Sequence, residues 1–249
     1  MHRNQLLRFL TTCLDLIFPI ECVGCGKEGA WLCTDCAQKL PPAPQRCPFC
    51  PTDTPRSATC PNCANAHALD GLTARTLYRH ELTEKLTHGL KYKFWSSIGP
   101  ALGSLMTEAL LEGQQADITK FSVIIPIPLH KSRERIRGFN QSYLLARQIA
   151  SLLNVPISNS LIRIKATKAQ ARLHEADRFL NIHGAFALRK NVDLSGKSVI
   201  LVDDVSTTGA TLDAAAKACK NRGADQVWGL VLARGILKNP RGIVNKIIR

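Results

Sequence analysis

The sequence predicts an α/β fold: a parallel sheet with helices on both faces, preceded by a small cysteine-rich domain. From residue 69 onward, continuous apolar segments of strand length alternate with amphipathic segments of helix length, the pattern of a parallel sheet covered on both faces. Before that point lie nine of the ten cysteines, all within the first 63 residues, and few large apolar side chains. We therefore expect an N-terminal amphipathic helix at 1–19, a cysteine-rich domain at 20–68 and an α/β domain at 69–249.

The composition is that of a basic globular protein. Its 249 residues contain 33 Lys and Arg against 19 Asp and Glu, which gives a net charge of +14. This charge favours polyanionic partners such as nucleic acid, phosphorylated metabolites or an anionic membrane surface. No apolar stretch approaches the ~20 residues of a membrane span. Cysteines grouped in C-x-x-C pairs favour a reducing, cytoplasmic setting over a secreted, disulfide-bonded one.

The N-terminal segment has apolar residues at helical spacing, and Pro19 ends the pattern. A helix packed on a neighbouring domain is one interpretation. A helix lying on the inner membrane surface is the other, favoured by Arg3 and Arg8 and opposed by Asp15. Arg8 and Asp15 also interrupt the apolar run, and no small-residue cleavage site follows, so we do not interpret the segment as a signal peptide.

The elements of the α/β domain follow in a regular order. Strands are predicted at 71–80, 121–130, 197–205 and 224–235. Helices are predicted at 81–94, 97–113, 140–154 and 210–223. Asn140 is a favourable N-cap for the third helix, and Gly223 is a favourable residue to close the fourth.

Eight cysteines form four C-x-x-C pairs: Cys22/Cys25, Cys33/Cys36, Cys47/Cys50 and Cys60/Cys63. Two such pairs supply four thiolates to one tetrahedral ion, and a site closed in this way is structural. We predict one or two zinc ions, whose binding supplies much of the folding free energy of the small domain. Disulfides or an iron–sulfur cluster are the alternatives. The pairing stays open, because neighbouring pairs can join in sequence or the two inner pairs can join and leave the outer pairs to meet.

The segment VILVDDVSTTGAT, residues 199–211, places two acids at the end of a buried strand and a run of hydroxyls before a helix. Ligands of open parallel sheets bind at this edge. The N–H groups of a helix start favour a phosphate, and Gly209 lets the backbone approach closely. Asp203 and Asp204 would instead accept hydrogen bonds from vicinal hydroxyls. A ribose 5-phosphate moiety has both features, whereas an ordinary turn whose acids cap the helix is the alternative.

This segment resembles the 5-phosphoribosyl-1-pyrophosphate (PRPP) motif of the type I phosphoribosyltransferases, although Ser206 stands where those enzymes more often have an aliphatic residue. The resemblance implies that Asp203 and Asp204 hold the ribose and are the catalytic residues if chemistry occurs, with magnesium bound alongside PRPP. It assigns the phosphate to the residues that follow: Ser206, Thr207, Thr208, Gly209, Ala210 and Thr211.

The cysteine pairs, PIPLHKSRERIRGFNQ, ATKAQARLHEADRFLNIHGAF and VDDVSTTGAT also occur in the order seen in the ComF/GntX family. ComF proteins are tied to natural transformation, the uptake of single-stranded DNA by competent bacteria. The resemblance implies a zinc-ribbon-like domain joined to a type I phosphoribosyltransferase-like sheet. It also implies single-stranded DNA and other competence proteins as partners.

The same resemblance assigns functions to two further segments. The loop after the second strand would bind pyrophosphate through the N–H groups of Leu129, His130 and Lys131, with Arg135 and Arg137 beside them; a solvated basic loop is the alternative. A flap would close over the substrate and exclude water. Its candidate residues, which would contact ligand or pack the flap, are Thr167, Gln170, Arg178 and Asn181.

The segment HGLKYKFW, residues 88–95, interleaves cations with aromatic side chains, as is typical of single-strand binding. A helix end whose aromatic residues join the core is the alternative, and the cysteine-rich domain is another candidate surface. The candidate DNA contacts are Lys91, Tyr92, Lys93 and Phe94. Two functions remain: a DNA-handling competence protein that binds PRPP and magnesium, or an active phosphoribosyltransferase with an unknown acceptor.

Overall fold

The computed structural model describes residues 19–91, 97–112, 121–165, 182 and 184–235. Its contacts divide the chain into two compact units, Met1–Leu40 and Pro41–Arg249. Apart from its last residue, the predicted helix at 1–19 lies outside the described residues. The units divide at Leu40/Pro41 and not at the boundary of residue 68 that the composition suggested, because residues 41–68 pack within the larger unit.

The smaller unit is held by a chain reversal and one short helix. Glu21 and Glu28 form an isolated antiparallel bridge, and the Cys22 N–H donates to the Lys27 carbonyl at 2.8 Å. Helix α1, Thr34–Gln38, follows Cys33. Few apolar side chains of this unit are buried in its described part, so its stability depends on what the cysteines bind.

The larger unit is built on a four-stranded parallel sheet in the order β1–β6–β5–β2, where β1 is Gly71–Leu77, β2 is Phe121–Pro126, β5 is Ser198–Ser206 and β6 is Gln226–Arg234. Two shorter strands, β3 (Leu161–Arg163) and β4 (Phe186–Leu188), form an antiparallel pair. All three pairings of the central sheet are parallel. The carboxyl ends of its four strands therefore lie at one edge.

Helices cover both faces of the central sheet. The α-helices of the larger unit are α2, Pro61–Ala64; α3, Glu81–Gly89; α4, Gly99–Glu112; α5, Lys131–Arg137; α6, Gln141–Leu153; and α7, Ala210–Lys220. On one face, Val199 and Leu201 of β5 share a buried cluster with Leu212 of α7. The alternate residues Ile200 and Val202 are fully buried on the opposite face, where α4 and α6 contact the sheet. The predicted α/β class is confirmed.

Several short elements were not predicted. Helix α5 replaces the predicted loop after β2, and all of its residues are at least partly exposed. The pair β3–β4 was missed because three residues a strand are too few for a recognisable period. The predicted end of α7 is supported in detail: Gly223 has φ +84°, and its N–H donates to Lys220 O (3.0 Å) while the Ala224 N–H donates to Cys219 O (3.2 Å), the Schellman pattern.

Across the part of the chain that the structure describes, no helix combines the length and the apolar character needed to cross a bilayer.

Candidate functional site

Two adjacent carboxyl groups are buried near the carboxyl end of the central strand β5. Asp203 is 9% exposed and Asp204 is 7% exposed. Oδ1 of Asp203 accepts hydrogen bonds from Ser142 Oγ at 2.8 Å and from the Asp204 backbone N–H at 2.9 Å. Ser142 lies in the first turn of α6, and its N–H donates to the N-cap Asn140 at 3.1 Å. The predicted N-cap thus orients the residue that anchors the first acid.

Burial and the neighbouring Asp204 carboxylate raise the pKa of Asp203 to about 8, although the Ser142 hydroxyl opposes the rise. Asp203 therefore keeps its proton to a higher pH than an ordinary aspartate does. A nearby cation, Arg163 at the end of β3, is also affected: burial and Arg133 lower its pKa, and Asp203 opposes the change. No sequence pattern marked Ser142 or Arg163, because only tertiary folding brings Ser142 into contact with Asp203 and places the charge of Arg163 near it.

Asp204 offers an acceptor to a ligand. Its Oδ2 atom is buried and has no hydrogen-bond partner among the described residues, while Lys91 Nζ lies 3.7 Å away. Lys91, a candidate DNA contact, is therefore placed beside the acid pair. The other three DNA candidates, Tyr92, Lys93 and Phe94, lie outside the described residues.

The loop between β5 and α7 gathers the predicted phosphate-binding residues at the sheet edge. Gly209 adopts φ +76° as the N-cap of α7, a conformation that a side chain would strain. Thr208 is 2% exposed, and its Oγ1 accepts the Ala210 N–H at 3.4 Å. Thr207 and Thr211 remain partly exposed. The N–H groups of the first turn of α7 face this edge and suit an anion.

The basic segment after β2 reaches the same edge, but as the short helix α5. His130 caps it, its Nδ1 accepting from the Ser132 N–H at 3.3 Å. Arg137 donates to Gln141 Oε1, so one predicted pyrophosphate ligand already has a protein partner. Pyrophosphate binding by Leu129, His130, Lys131, Arg135 and Arg137 stays a prediction. The flap candidates Thr167, Gln170, Arg178 and Asn181 lie outside the described residues.

The cysteine pairs join in sequence, which resolves the alternative left open above. One cluster contains Cys22, Cys25, Cys33 and Cys36, and the other contains Cys47, Cys50, Cys60 and Cys63; within each, all sulfur atoms lie within 4.8 Å of one another. Cys25 Sγ and Cys33 Sγ are 3.7 Å apart, and Cys50 Sγ and Cys60 Sγ are 3.5 Å apart. A tetrahedral zinc with bonds of about 2.3 Å requires sulfur separations of about 3.8 Å, whereas a disulfide requires about 2.05 Å. Each cluster fits zinc.

The thiols of each cluster differ in how readily they ionise, because neighbouring sulfurs raise the pKa of some and lower that of others. Desolvation and the neighbouring sulfurs raise the pKa of Cys36 to about 12, and they raise that of Cys63 as well. Burial acts the same way on Cys22 and Cys50, but hydrogen bonds overcome it and lower their pKa values to about 6 and about 7. Four thiolates this close need a cation to balance them, and zinc supplies that charge.

Comparison with known proteins adds family evidence to this geometry. The sequence profile of the family "Phosphoribosyl transferase domain" matches residues 140–242, which include the acid pair and the loop before α7. The chain is 32% identical to "Competence protein F" of Haemophilus influenzae, over 87% of this chain and 98% of that protein. It is 32% identical to "DNA utilization protein YhgH" of Salmonella typhi, over 80% and 89%. It is also 40% identical to "Competence protein ComFC" of Bacillus subtilis, over 42% and 40%.

We expect two zinc ions per chain in protein purified without chelator, because each cluster supplies a complete tetrahedral set. Elemental analysis should show one ion lost when Cys22 and Cys25 are both replaced by Ser. Replacement of Cys219, a buried cysteine outside both clusters, should leave two ions and serves as the control. The sequential clusters would be contradicted if the wild type bound a single zinc ion, and if that ion were retained in the Cys22/Cys25 variant but lost in the Cys219 variant.

We expect Asp203→Asn to stabilise the ligand-free protein at high pH. The pKa of Asp203 is about 8 in the folded state and about 3.9 in an unfolded chain, so the folded state binds the extra proton and loses stability as the pH rises through that window. Asn keeps the oxygen that accepts from Ser142 and cannot ionise. At about pH 9 the variant should melt higher, by about 2–4 °C for each kcal/mol gained.

The difference in melting temperature should shrink towards about pH 4, because below the unfolded-state pKa of about 3.9 the Asp203 carboxyl is protonated in the folded and in the unfolded chain. Asp225→Asn, an exposed change before β6, should match the wild type at both pH values. If Asp203→Asn melted below the wild type at about pH 9, the buried-acid interpretation would be wrong.

Proposed function

The chain belongs to the family of competence protein F, and from that premise we propose that it is a DNA-handling protein of natural transformation that binds PRPP and magnesium at the carboxyl edge of its sheet. The family and the phosphoribosyltransferase-type domain rest on the matches already described. The binding of PRPP with magnesium and the binding of DNA are our own inferences.

The observation that carries the ligand assignment is the Oδ2 atom of Asp204, which lies 3.7 Å from Lys91 Nζ but accepts no hydrogen bond in the described residues. Buried polar atoms in native proteins nearly always have a hydrogen-bond partner, because an unpaired one costs free energy. Asp204 is 7% exposed, yet this oxygen has no hydrogen bond in the described residues. A ligand that donates hydroxyl hydrogens to it, as the diol of a ribose does, would satisfy the atom.

A phosphate fits the neighbouring loop for a different reason. The loop carries N–H donors, hydroxyl groups and the positive end of the α7 dipole within a few residues of the acids. A sugar with hydroxyls at one end and a phosphate at the other spans both environments. Magnesium prefers carboxylate and phosphate oxygens, so Asp203, Asp204 and the diphosphate of PRPP form a suitable donor set, and the ion would neutralise the diphosphate beside the acids.

The DNA assignment is supported by charge and by the relatives. The net charge of +14 favours a polyanion, and the names of the relatives refer to competence and to DNA utilisation. Lys91 is 35% exposed at its side chain and opens the stretch in which cations alternate with aromatic residues. Such a stretch stacks on unpaired bases and contacts phosphates.

Phosphoribosyl transfer is the second candidate, favoured by the profile match that contains both acids. An acceptor nucleophile would form a bond to the anomeric carbon while the bond to pyrophosphate breaks, and the acceptor proton would pass to solvent or to a base. The site residues would hold the ribose and, through magnesium, stabilise the departing pyrophosphate. Pyrophosphate release that requires an added acceptor would establish this activity.

We expect PRPP with magnesium to raise the melting temperature, and the joint change Asp203→Asn and Asp204→Asn to abolish that rise, because the amides lose the charged acceptors for the diol and the metal. The measurement is a thermal melt with and without about 1 mM PRPP and excess Mg²⁺, a concentration that stabilises the folded state by mass action if it exceeds Kd. Asp225→Asn is the matched control. An equal rise in the double variant would refute the ribose assignment.

We expect binding of single-stranded DNA that weakens steeply with salt. Between about 50 mM and about 500 mM salt the affinity should fall at least tenfold, because each phosphate contact releases counterions. Lys91→Gln should weaken binding and lower the salt slope by about one. Lys85→Gln removes the same charge from an exposed residue that pairs with Glu81 and should have little effect. Equal DNA affinity of the Lys91→Gln and Lys85→Gln variants would show that Lys91 does not contact the DNA.

A further inference from the structure

The second cysteine cluster packs against the loop between β5 and α7, residues 207–209, which we call the phosphate loop after its predicted ligand. Phe49 lies between Cys47 and Cys50 in the C-x-x-C knuckle and is 4% exposed. A Cβ atom on Gly209 would lie 2.8 Å from the Phe49 ring and 3.6 Å from the Pro48 carbonyl oxygen. The knuckle therefore contacts the backbone of the residue that begins α7.

The Phe49 ring is fixed from its other side. It stacks on His67 with ring centroids 3.5 Å apart and an angle of 6° between the planes. His67 Nδ1 lies 3.0 Å from Asp213 Oδ2, and Oδ1 of the same carboxylate accepts the Ala68 and Leu69 N–H groups at 2.7 and 3.1 Å. Asp213 belongs to the first turn of α7. The knuckle, the segment after it and the start of α7 thus form one continuous contact.

A buried arginine joins the cluster to the sheet edge. Arg234 ends β6 and is 6% exposed. Its guanidinium donates to the carbonyl oxygens of Arg46, at 2.8 Å, and Cys47, and in the described residues it meets no carboxylate within ion-pair distance. A zinc ion with four thiolates carries a net charge of −2, which would compensate this buried cation. Metal binding and the position of Arg234 are therefore linked.

We propose that metal occupancy of the second cluster sets the conformation of the phosphate loop, and that Phe49 is the positioning residue that transmits it. With the metal bound, the knuckle holds the ring against Gly209 and preorganises the N–H donors for an anion. Without it, the knuckle loses its fixed geometry, and Gly209, which has no side chain, gains many alternative conformations. Only the consequence for PRPP affinity rests on the proposed function; the effect on the loop does not.

The first cluster provides an internal control, because it has the same ligands but belongs to the smaller unit. Amide hydrogen exchange of residues 206–213 should rise at least tenfold when Cys60 and Cys63 are replaced by Ser, and stay unchanged when Cys33 and Cys36 are replaced. Elemental analysis should show one zinc ion lost in each variant. Equal exchange in the two variants would overturn the proposal.

Since Cys60 and Cys63 also contribute to the core, a second variant keeps every metal ligand. Phe49→Ala should retain two zinc ions, increase loop exchange at least tenfold and weaken magnesium–PRPP binding about tenfold by calorimetry, as lost preorganisation predicts. Phe49→Tyr keeps the flat ring against Gly209 and should restore both values. Zinc-replete Phe49→Ala with wild-type loop exchange would refute the role of Phe49.

The two readouts separate this proposal from the proposed function. If the wild type binds no PRPP, the ligand assignment falls, while the exchange of residues 206–213 still decides whether the cluster controls the loop. If the wild type binds PRPP and Phe49→Ala binds it equally well, the ligand assignment stands and the coupling to the site is wrong.

Discussion

Two carboxyl groups side by side at the end of a buried strand are the constraint on which the rest of the site depends. Their mutual repulsion and burial raise the pKa of Asp203 to about 8, so the fold holds them at a cost in stability. The surroundings offset part of that cost through the Ser142 hydroxyl and the Lys91 ammonium group. Proteins tolerate such destabilising arrangements mainly at functional sites. The buried acid pair therefore indicates a ligand-binding site.

The parallel sheet explains why these groups meet. Parallel pairing puts the carboxyl ends of all four strands at one edge, so the acids of β5, the basic segment after β2 and Arg234 of β6 converge from distant parts of the sequence. Opposite charges thus surround one small region. The acids can bind the neutral hydroxyls and the metal, while the helix start and the cations suit phosphate groups.

Sequence alone predicted the central strands, the N-cap Asn140 and the eight candidate zinc ligands, though not how their pairs join, because each is encoded locally in apolar runs, capping residues or fixed spacing. It did not predict Ser142 beside Asp203 or Phe49 beside Gly209. These contacts join residues far apart in the chain; the Ala68–Asp213 hydrogen bond, for example, spans 145 residues. The short elements α5, β3 and β4 were missed because they contain too few residues for periodicity to appear.

The same C-x-x-C motif serves two different structural purposes in this chain. In the smaller unit the described core is little more than the cysteines and a few apolar neighbours, so metal binding there would supply most of the folding free energy. Cys47, Cys60 and Cys63 instead share a hydrophobic cluster with the strands and α7. That packing already holds the strands and α7 together, so a metal at the second cluster would have less folding to drive. Its influence falls mainly on what the knuckle contacts, which is the loop that begins α7.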